Sequence, residues 1–557
     1  MSTKELPPSQ PYQDWGVIIL STLCLTSVLT MLVICISWDW FTTWAPIEKH
    51  LNIWIDIMAG FYSNDNSIWQ AYREYLVSNN LEVDFIAHTL LPLIVAFSTS
   101  IMLCMNTFYV LGGKTVERHV AGSKRLDGKQ ANRHAKQQLS LEIKGGAKKG
   151  LHIHPCIQIT QQSEIGNILI TGQPGSGKTV IICSLLKQII TTKQKVFIFD
   201  AKQEYTEKFY SKNQSLLIAP WDKRSVIWNI SEDMKHDSAP SRFAEHIISE
   251  TKDRIWSESA RLILVGIIES LKARSAPWGW LELYHALNVS EVNLRATLKQ
   301  HSPKAMRFVE ENNRTTQSIL ITMQSELGWI ESLAKAWPKS YMSKFSIHYW
   351  VNNCKAKPTL ILQAHQKYPS VGKPLFHSCM SMMVDEHLSS LKSKRCYLVV
   401  DELANLPKSN ALLRWIELGR AQGGRTIAGT QAISQLRSIY GNDTTNSLTS
   451  MFSNLVTLKI GSAGDTAEFM SKALGQRVVE RPQTQSSKAT TASWQKVTYP
   501  IIYPSDLTQL PNPNKNGVVG FLTINGWSAT YRLVWPYPET PAIAKKEVSA
   551  TVNASLK

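Results

Sequence analysis

Gly172, Gly177, Lys178 and Thr179 stand in the spacing G-x-x-x-x-G-K-[ST], inside "ILITGQPGSGKTVIICSLLKQII". Consecutive backbone N–H groups cradle a phosphate only where the loop carries little side-chain bulk, so Gly172, Gln173, Pro174, Gly175, Ser176 and Gly177 form the expected phosphate loop. Lys178 is then placed to reach the terminal phosphates and Thr179 to ligate Mg²⁺, which makes ATP with Mg²⁺ the expected cofactors. An acidic centre follows in "CYLVVDELANLP", where an apolar run brings Asp401 to the carboxyl end of a buried strand, in reach of the Mg²⁺ shell. Glu402 beside it can accept a proton from an attacking water, a task that mere nucleotide binding does not require. "GRTIAGTQAISQL" brings Gln431 to the same edge, as an amide able to orient that water and sense the γ-phosphate.

"NALLRWIELGRAQGG" carries Arg420 just past a helix end, from where a guanidinium can project into a neighbour's site. Such a finger accelerates phosphoryl transfer by about 10³ to 10⁵. Arg425 is the second candidate, and either arginine could instead cap carbonyls at a helix C-terminus. Asp200, Lys202 and Glu204 in "VFIFDAKQEY" end another acidic strand, near the nucleotide or a subunit boundary.

These residues need strands to carry them to one edge. Short β-branched runs at 167–171, 195–200, 359–363, 396–401, 425–429 and 455–460 alternate with helical patterns, which predicts an α/β domain with a mainly parallel sheet. A hairpin is expected around Asn525 and Gly526. From 230 to 341 the periodicity is helical throughout, so an all-α domain is expected to interrupt a nucleotide-binding domain of residues 151–229 and 342–540. The polar stretch 481–496 reads as a mobile loop and 541–557 as a disordered tail.

The 557 residues carry 60 Lys and Arg against 43 Asp and Glu, a net charge of +17 that calls for anionic partners, nucleic acid or lipid headgroups. Eight cysteines are scattered singly, with no zinc-ligand spacing, and His152 and His154 read as a strand edge rather than a metal pair. Segments 15–37 and 85–111 are each long and apolar enough to cross a hydrocarbon core of about 30 Å, leaving a cytoplasmic N-terminus at 1–14 and a periplasmic loop at 38–84. Between them only Lys49 and Arg73 oppose seven acids, whereas 112–150, a basic juxtamembrane linker, holds ten Lys and Arg against three acids. The positive-inside rule then puts both termini and the bulk of the chain in the cytoplasm, as in a multi-pass membrane protein. The linker's cations suit lipid headgroups or DNA.

In these motifs the chain resembles the type IV secretion system coupling proteins, the hexameric ATPases of bacterial conjugation in the RecA-like DNA-pump group. The resemblance spans two N-terminal membrane passes, "TGQPGSGKT", "FDAKQEY", the helical insertion, "VVDELANLP", "GRAQGGRTIAGTQAISQLRSIYG" and "LVWPYP". It implies a RecA-like P-loop NTPase domain with an inserted all-α domain after a two-helix transmembrane anchor. It also implies a homo-hexamer with ATP sites between subunits, Arg420 acting in trans, and the insertion facing arriving DNA and relaxosome. The expected function is an inner-membrane ATPase that links a relaxase-bound DNA strand to the secretion channel and pumps it, with sequence-independent DNA binding. The alternative is a receptor for secreted protein effectors with little DNA pumping. A septal chromosome translocase shares the motor but lacks this membrane and insertion pattern, and a passive scaffold has no use for Lys178, Glu402 and Gln431 together.

Overall fold

The computed structural model describes residues 11–13, 15–41, 47–63, 65–107, 109–111, 118–251, 253–390, 394–483 and 493–550. It divides into two compact units, the first made of residues 1–120 with 478–497 and the second of 121–477 with 498–557.

In the first unit, helix α1 spans Trp15–Phe41 and α4 spans Glu82–Thr107, with α2 at Ile47–Ser63 and α3 at Ser67–Ser78 between them. The windows Gly16–Ile36 and Glu82–Thr107 have mean hydropathies of 2.5 and 1.9, so two helices here are long and apolar enough to cross a membrane. Much of their apolar surface points outward, with Leu20, Leu23, Leu91 and Ile94 all exposed, whereas Ile18 is buried. The segment expected as a periplasmic loop at 38–84 contains α2 and α3, where Tyr72 and Leu76, one helical turn apart, close a small core with Ile57, and His50 Nδ1 lies 3.0 Å from the Tyr72 hydroxyl. The second apolar helix stops at Thr107, and Tyr109–Leu111 pairs antiparallel with Pro11–Gln13.

The second unit is built on a ten-stranded sheet. Its strands are β1 (Lys124–Asp127), β2 (Ile168–Thr171), β3 (Lys195–Asp200), β4 (Ser215–Ile218), β5 (Thr359–Gln363), β6 (Cys396–Val400), β7 (Gly424–Thr430), β8 (Asn454–Thr457), β9 (Val518–Thr523) and β10 (Ala529–Trp535). They lie in the order β1-β10-β9-β8-β2-β7-β6-β3-β5-β4. From β8 to β4 every pairing is parallel, and the β9–β10 hairpin adds antiparallel. Every residue of β2, β5, β6 and β7 is buried, as a parallel sheet covered on both faces requires.

The all-α insertion starts and ends at one point. Asn229 Nδ2 donates to the Tyr341 and Ser343 carbonyls at 3.1 and 2.9 Å, stapling its two ends together. Trp280 packs edge-on against Trp228 and donates its Nε1 to the Trp228 carbonyl at 2.9 Å. Among the described residues between these ends there is no strand.

Three expectations need correction. The basic segment 112–150 is folded from Arg118 onward: β1 pairs in parallel with β10, and helix α5 (Gly128–Lys144) packs Ala131 and Ala135 into the core. Its cations hid this, because they occupy only the outward face. The polar stretch 481–496 continues strand at both ends, Gln476–Gln483 and Ser493–Pro500, and its middle, 484–492, lies outside the described residues. The tail is ordered to residue 550 although it lacks an apolar face: Arg224 donates to the Lys545 and Lys546 carbonyls, and Val548 N donates to Asp222 Oδ2 at 2.9 Å. Residues 551–557 lie outside the described residues.

Candidate nucleotide site

The parallel strands β2, β7, β6 and β3 end level with one another, since Thr430 pairs with Thr171 and Val400 with both Ala428 and Phe199. The loops beyond them therefore share one carboxyl edge. After β2 the chain makes the phosphate loop and enters helix α6 (Lys178–Thr191). Gly175 and Gly177 hold φ of +75° and +99°, where an L side chain is strained, and a Cβ on Gly177 would lie 2.5 Å from Val518 Cγ2. Gly172 admits no side chain either, because its Cβ would lie 2.5 Å from Ser176 Oγ. Lys178 is 8% exposed, and its Nζ donates to the Gly172 carbonyl at 2.7 Å and to Gln173 at 3.4 Å. Thr179 is half-buried in the first turn of α6.

Asp401 and Glu402 leave the end of β6 beside this loop. Burial lowers the Lys178 pKa, and the nearby Glu402 and Asp401 charges work against that shift. The reciprocal holds for both carboxyls: burial raises each above its ordinary range, and Lys178 pulls each back down. Glu402 Oε1 accepts from the Gln431 backbone N–H at 3.3 Å, which ties the acid to the end of β7. Gly429 allows this closeness, since a Cβ there would lie 2.0 Å from the Asp401 carbonyl oxygen. Asp401 Oδ1, Glu402 Oε2 and Ser176 Oγ are buried without a hydrogen-bond partner. Orphaned oxygens around a lysine match the chemistry of a hard divalent cation and a phosphate, so the residues present fit magnesium nucleotide.

The structure thus brings Lys178, Asp401, Glu402 and Gln431 together and separates the two arginines from them. Arg425 is the second residue of β7, at the amino end of the strand, 6% exposed, with its Nε 3.1 Å from Glu164 Oε2. Its Nη1 donates to the Gly423 carbonyl at 2.6 Å, so it serves as an internal anchor and is not free to reach a neighbour. Arg420 is exposed in the turn between helix α7 (Asn410–Leu418) and β7, also on the amino side of the sheet. Neither can serve the phosphate loop of its own chain.

Sequence reasoning missed the support behind β3. Asp200 is fully buried and accepts from Thr206 N and Oγ1 at 2.6 and 2.8 Å, and Gln363 Nε2 donates to that Thr206 hydroxyl at 2.8 Å. Burial pushes the Asp200 carboxyl up to about 6. Tyr205, wholly buried, faces Asp401, and the Lys202 charge acts on both Asp401 and Lys178. The apolar run ending in an acid signalled Asp200, but no pattern within β3 signals a partner on β5. His154, expected on a strand edge, is buried with its Nε2 3.0 Å from the Val534 carbonyl.

A buried parallel strand, a glycine loop opening a helix, an acidic strand two places away and an all-α insertion define a RecA-like P-loop nucleotide-binding domain. Residues 151–524 match the family model described as the type IV secretion-system coupling protein DNA-binding domain, and the chain belongs to that family. It is 21% identical over 487 residues to the coupling protein TraD of Escherichia coli (strain K12), covering 83% of this chain and 66% of TraD, so it spans just under two thirds of that relative's length. Its fold is similar to the bacterial conjugative coupling protein TrwB lacking its N-terminal 70 residues, with a TM-score of 0.66 and 21% identity over 79% of this chain and 98% of that one. Plasmid coupling protein TrwB in complex with a non-hydrolysable ATP analogue is similar at the same TM-score of 0.66, with 22% identity over 79% of this chain and 99% of that one.

Proposed function

We propose that the chain is an ATPase of the bacterial inner membrane that links a relaxase-bound DNA strand to a type IV secretion channel and drives its passage by hydrolysing ATP. The family is described by DNA binding, and similar TrwB structures are complexes with ADP and Mg²⁺ and with analogues of ATP and GTP. The observation that carries the reading is the shared carboxyl edge, where Lys178, Asp401 and Glu402 meet among buried oxygens that lack partners.

Lys178 exchanges its two carbonyl acceptors for phosphate oxygens. The Thr179 hydroxyl and Asp401 would hold Mg²⁺, which would supply neutralisation of charge developing on the phosphates. Glu402 takes the proton of the attacking water, and burial helps by raising its proton affinity. The Gln431 N–H fixes the Glu402 carboxylate, so the strand carrying the sensor also aims the base. Arg420 completes a neighbour's site in trans within a homo-hexamer. Two apolar helices anchor the chain with its bulk in the cytoplasm, and the relaxosome and channel components are its partners.

The test is the ATPase rate of the full-length chain in detergent, with and without single- or double-stranded DNA of unrelated sequence. Stimulation at low salt that fades steeply as salt rises is expected, because released counterions drive Lys and Arg contacts with phosphate. Turnover indifferent to DNA would favour the protein-effector receptor.

A further inference from the structure

We infer that the outward face of helix α5 is a docking surface for anionic lipid headgroups, holding the β1–α5 flank of the nucleotide-binding unit against the membrane. The inference rests on the membrane-anchor reading above.

Helix α5 is pinned on one side only. Ala131 and Ala135 are buried, His134 Nδ1 lies 2.8 Å from the Tyr531 hydroxyl, and Glu142, the helix's sole acid, is turned inward. Thr160 and Trp527 donate to the Glu142 carboxylate at 2.6 and 2.5 Å. What remains outside is one helical stripe bearing Lys129, Arg133, Lys136 and Lys144, all exposed, with Leu141 at 61% exposure among them. Lys148 and Lys149 extend it past the helix end, and none of these six cations has an acidic partner among the described residues.

Three observations favour lipid over nucleic acid. The helix begins at Gly128 and the apolar helix ends at Thr107, so a tether of at most about 70 Å leaves α5 within reach of a membrane that the apolar helix crosses. The matched DNA-binding domain begins at residue 151 and leaves α5 outside. The stripe has an exposed leucine and no aromatic side chain on which a base could stack. Lysines and arginines beside an anionic bilayer are each attracted to it, so six of them form an adhesive surface that salt weakens.

The test is lysine footprinting by limited acetylation and mass spectrometry, on the full-length chain in nanodiscs of phosphatidylcholine alone or mixed equally with phosphatidylglycerol. In anionic discs at low salt, labelling of Lys129, Lys136 and Lys144 should fall by roughly fivefold relative to neutral discs and recover at high salt. The exposed Lys355 and Lys515 should not change. Reversing the stripe with Lys129→Glu, Arg133→Glu, Lys136→Glu and Lys144→Glu should remove the lipid dependence of Lys148 and Lys149 labelling. Equal labelling in both discs would overturn the inference, as would protection by added DNA without protection by anionic lipid. Release of the chain from both discs by urea would overturn the anchor reading and this inference together, whereas retained chain with unprotected lysines overturns this inference alone.

Discussion

Lys178 and Glu402 share a buried edge, and the proposed mechanism gives them separable duties. Removing the ammonium in Lys178→Ala deletes the phosphate contact, so nucleotide affinity and turnover should both collapse. Glu402→Gln keeps the shape and the Gln431 hydrogen bond while removing the base, so kcat should drop by about 10² to 10⁴ with nucleotide still bound. Single-turnover kinetics beside equilibrium binding separates the two, and a Glu402→Gln enzyme of normal kcat would remove the base assignment. A second residue-scale test concerns Asp233, which accepts from Trp228 Nε1, Ile347 N and His348 N at 2.6, 2.9 and 2.8 Å. Burial pushes its carboxyl from 3.8 up to about 6. A raised folded pKa gives stability that is fully present below the unfolded value and lost as pH rises through the folded one. From about pH 4 to about pH 7 the wild type should therefore lose roughly 1 to 3 kcal/mol relative to Asp233→Asn in urea unfolding. A flat difference would show that Asp233 titrates normally.

At the scale of elements, the site depends on how closely β6 and β7 approach. Gly429→Ala would set a methyl 2.0 Å from the Asp401 carbonyl, so the two strands must part where they carry the acids. A loss of at least about 2 kcal/mol in unfolding free energy, with reduced turnover, is expected. The two arginines make a sharper contrast. Arg425→Gln leaves Glu164, itself 2% exposed, without its ion pair, which costs about 3 to 5 kcal/mol while turnover per folded molecule persists. Arg420→Ala, at an exposed turn, should leave stability unchanged and lower turnover only in the assembled form. Melting curves beside turnover numbers distinguish these outcomes. The strands were legible because β2, β6 and β7 are buried on both faces and read as near-continuous apolar runs. Edge strands β1 and β4 were not, since KRLD and SLLI are too short to show a period.

For the whole molecule, the phosphate loop lies on one edge of the sheet and Arg420 on the other, so the proposed trans role of Arg420 predicts that the isolated chain is an incomplete enzyme. Two inactive variants, Lys178→Ala and Arg420→Ala, should then restore part of the activity when mixed. The first lends its arginine to the intact loop of the second. Mixtures that stay as inactive as their components would refute a shared site.

The sequence by itself singled out the candidates for chemistry: glycine spacing, a lysine and paired acids at strand ends are local patterns, and phosphate geometry dictates each of them. It also determined the class of most elements, since burial on one face or both leaves a periodic trace. Tertiary structure alone decided which candidates meet. Arg425 and Arg420 look alike in sequence, and only the direction of β7 turns one into a buried anchor and leaves the other exposed. Likewise the basic segment after the apolar helices reads as solvated linker until α5 is seen to hide its alanines and its one acid. Local pattern fixes what a residue can do, whereas long-range packing fixes what it faces.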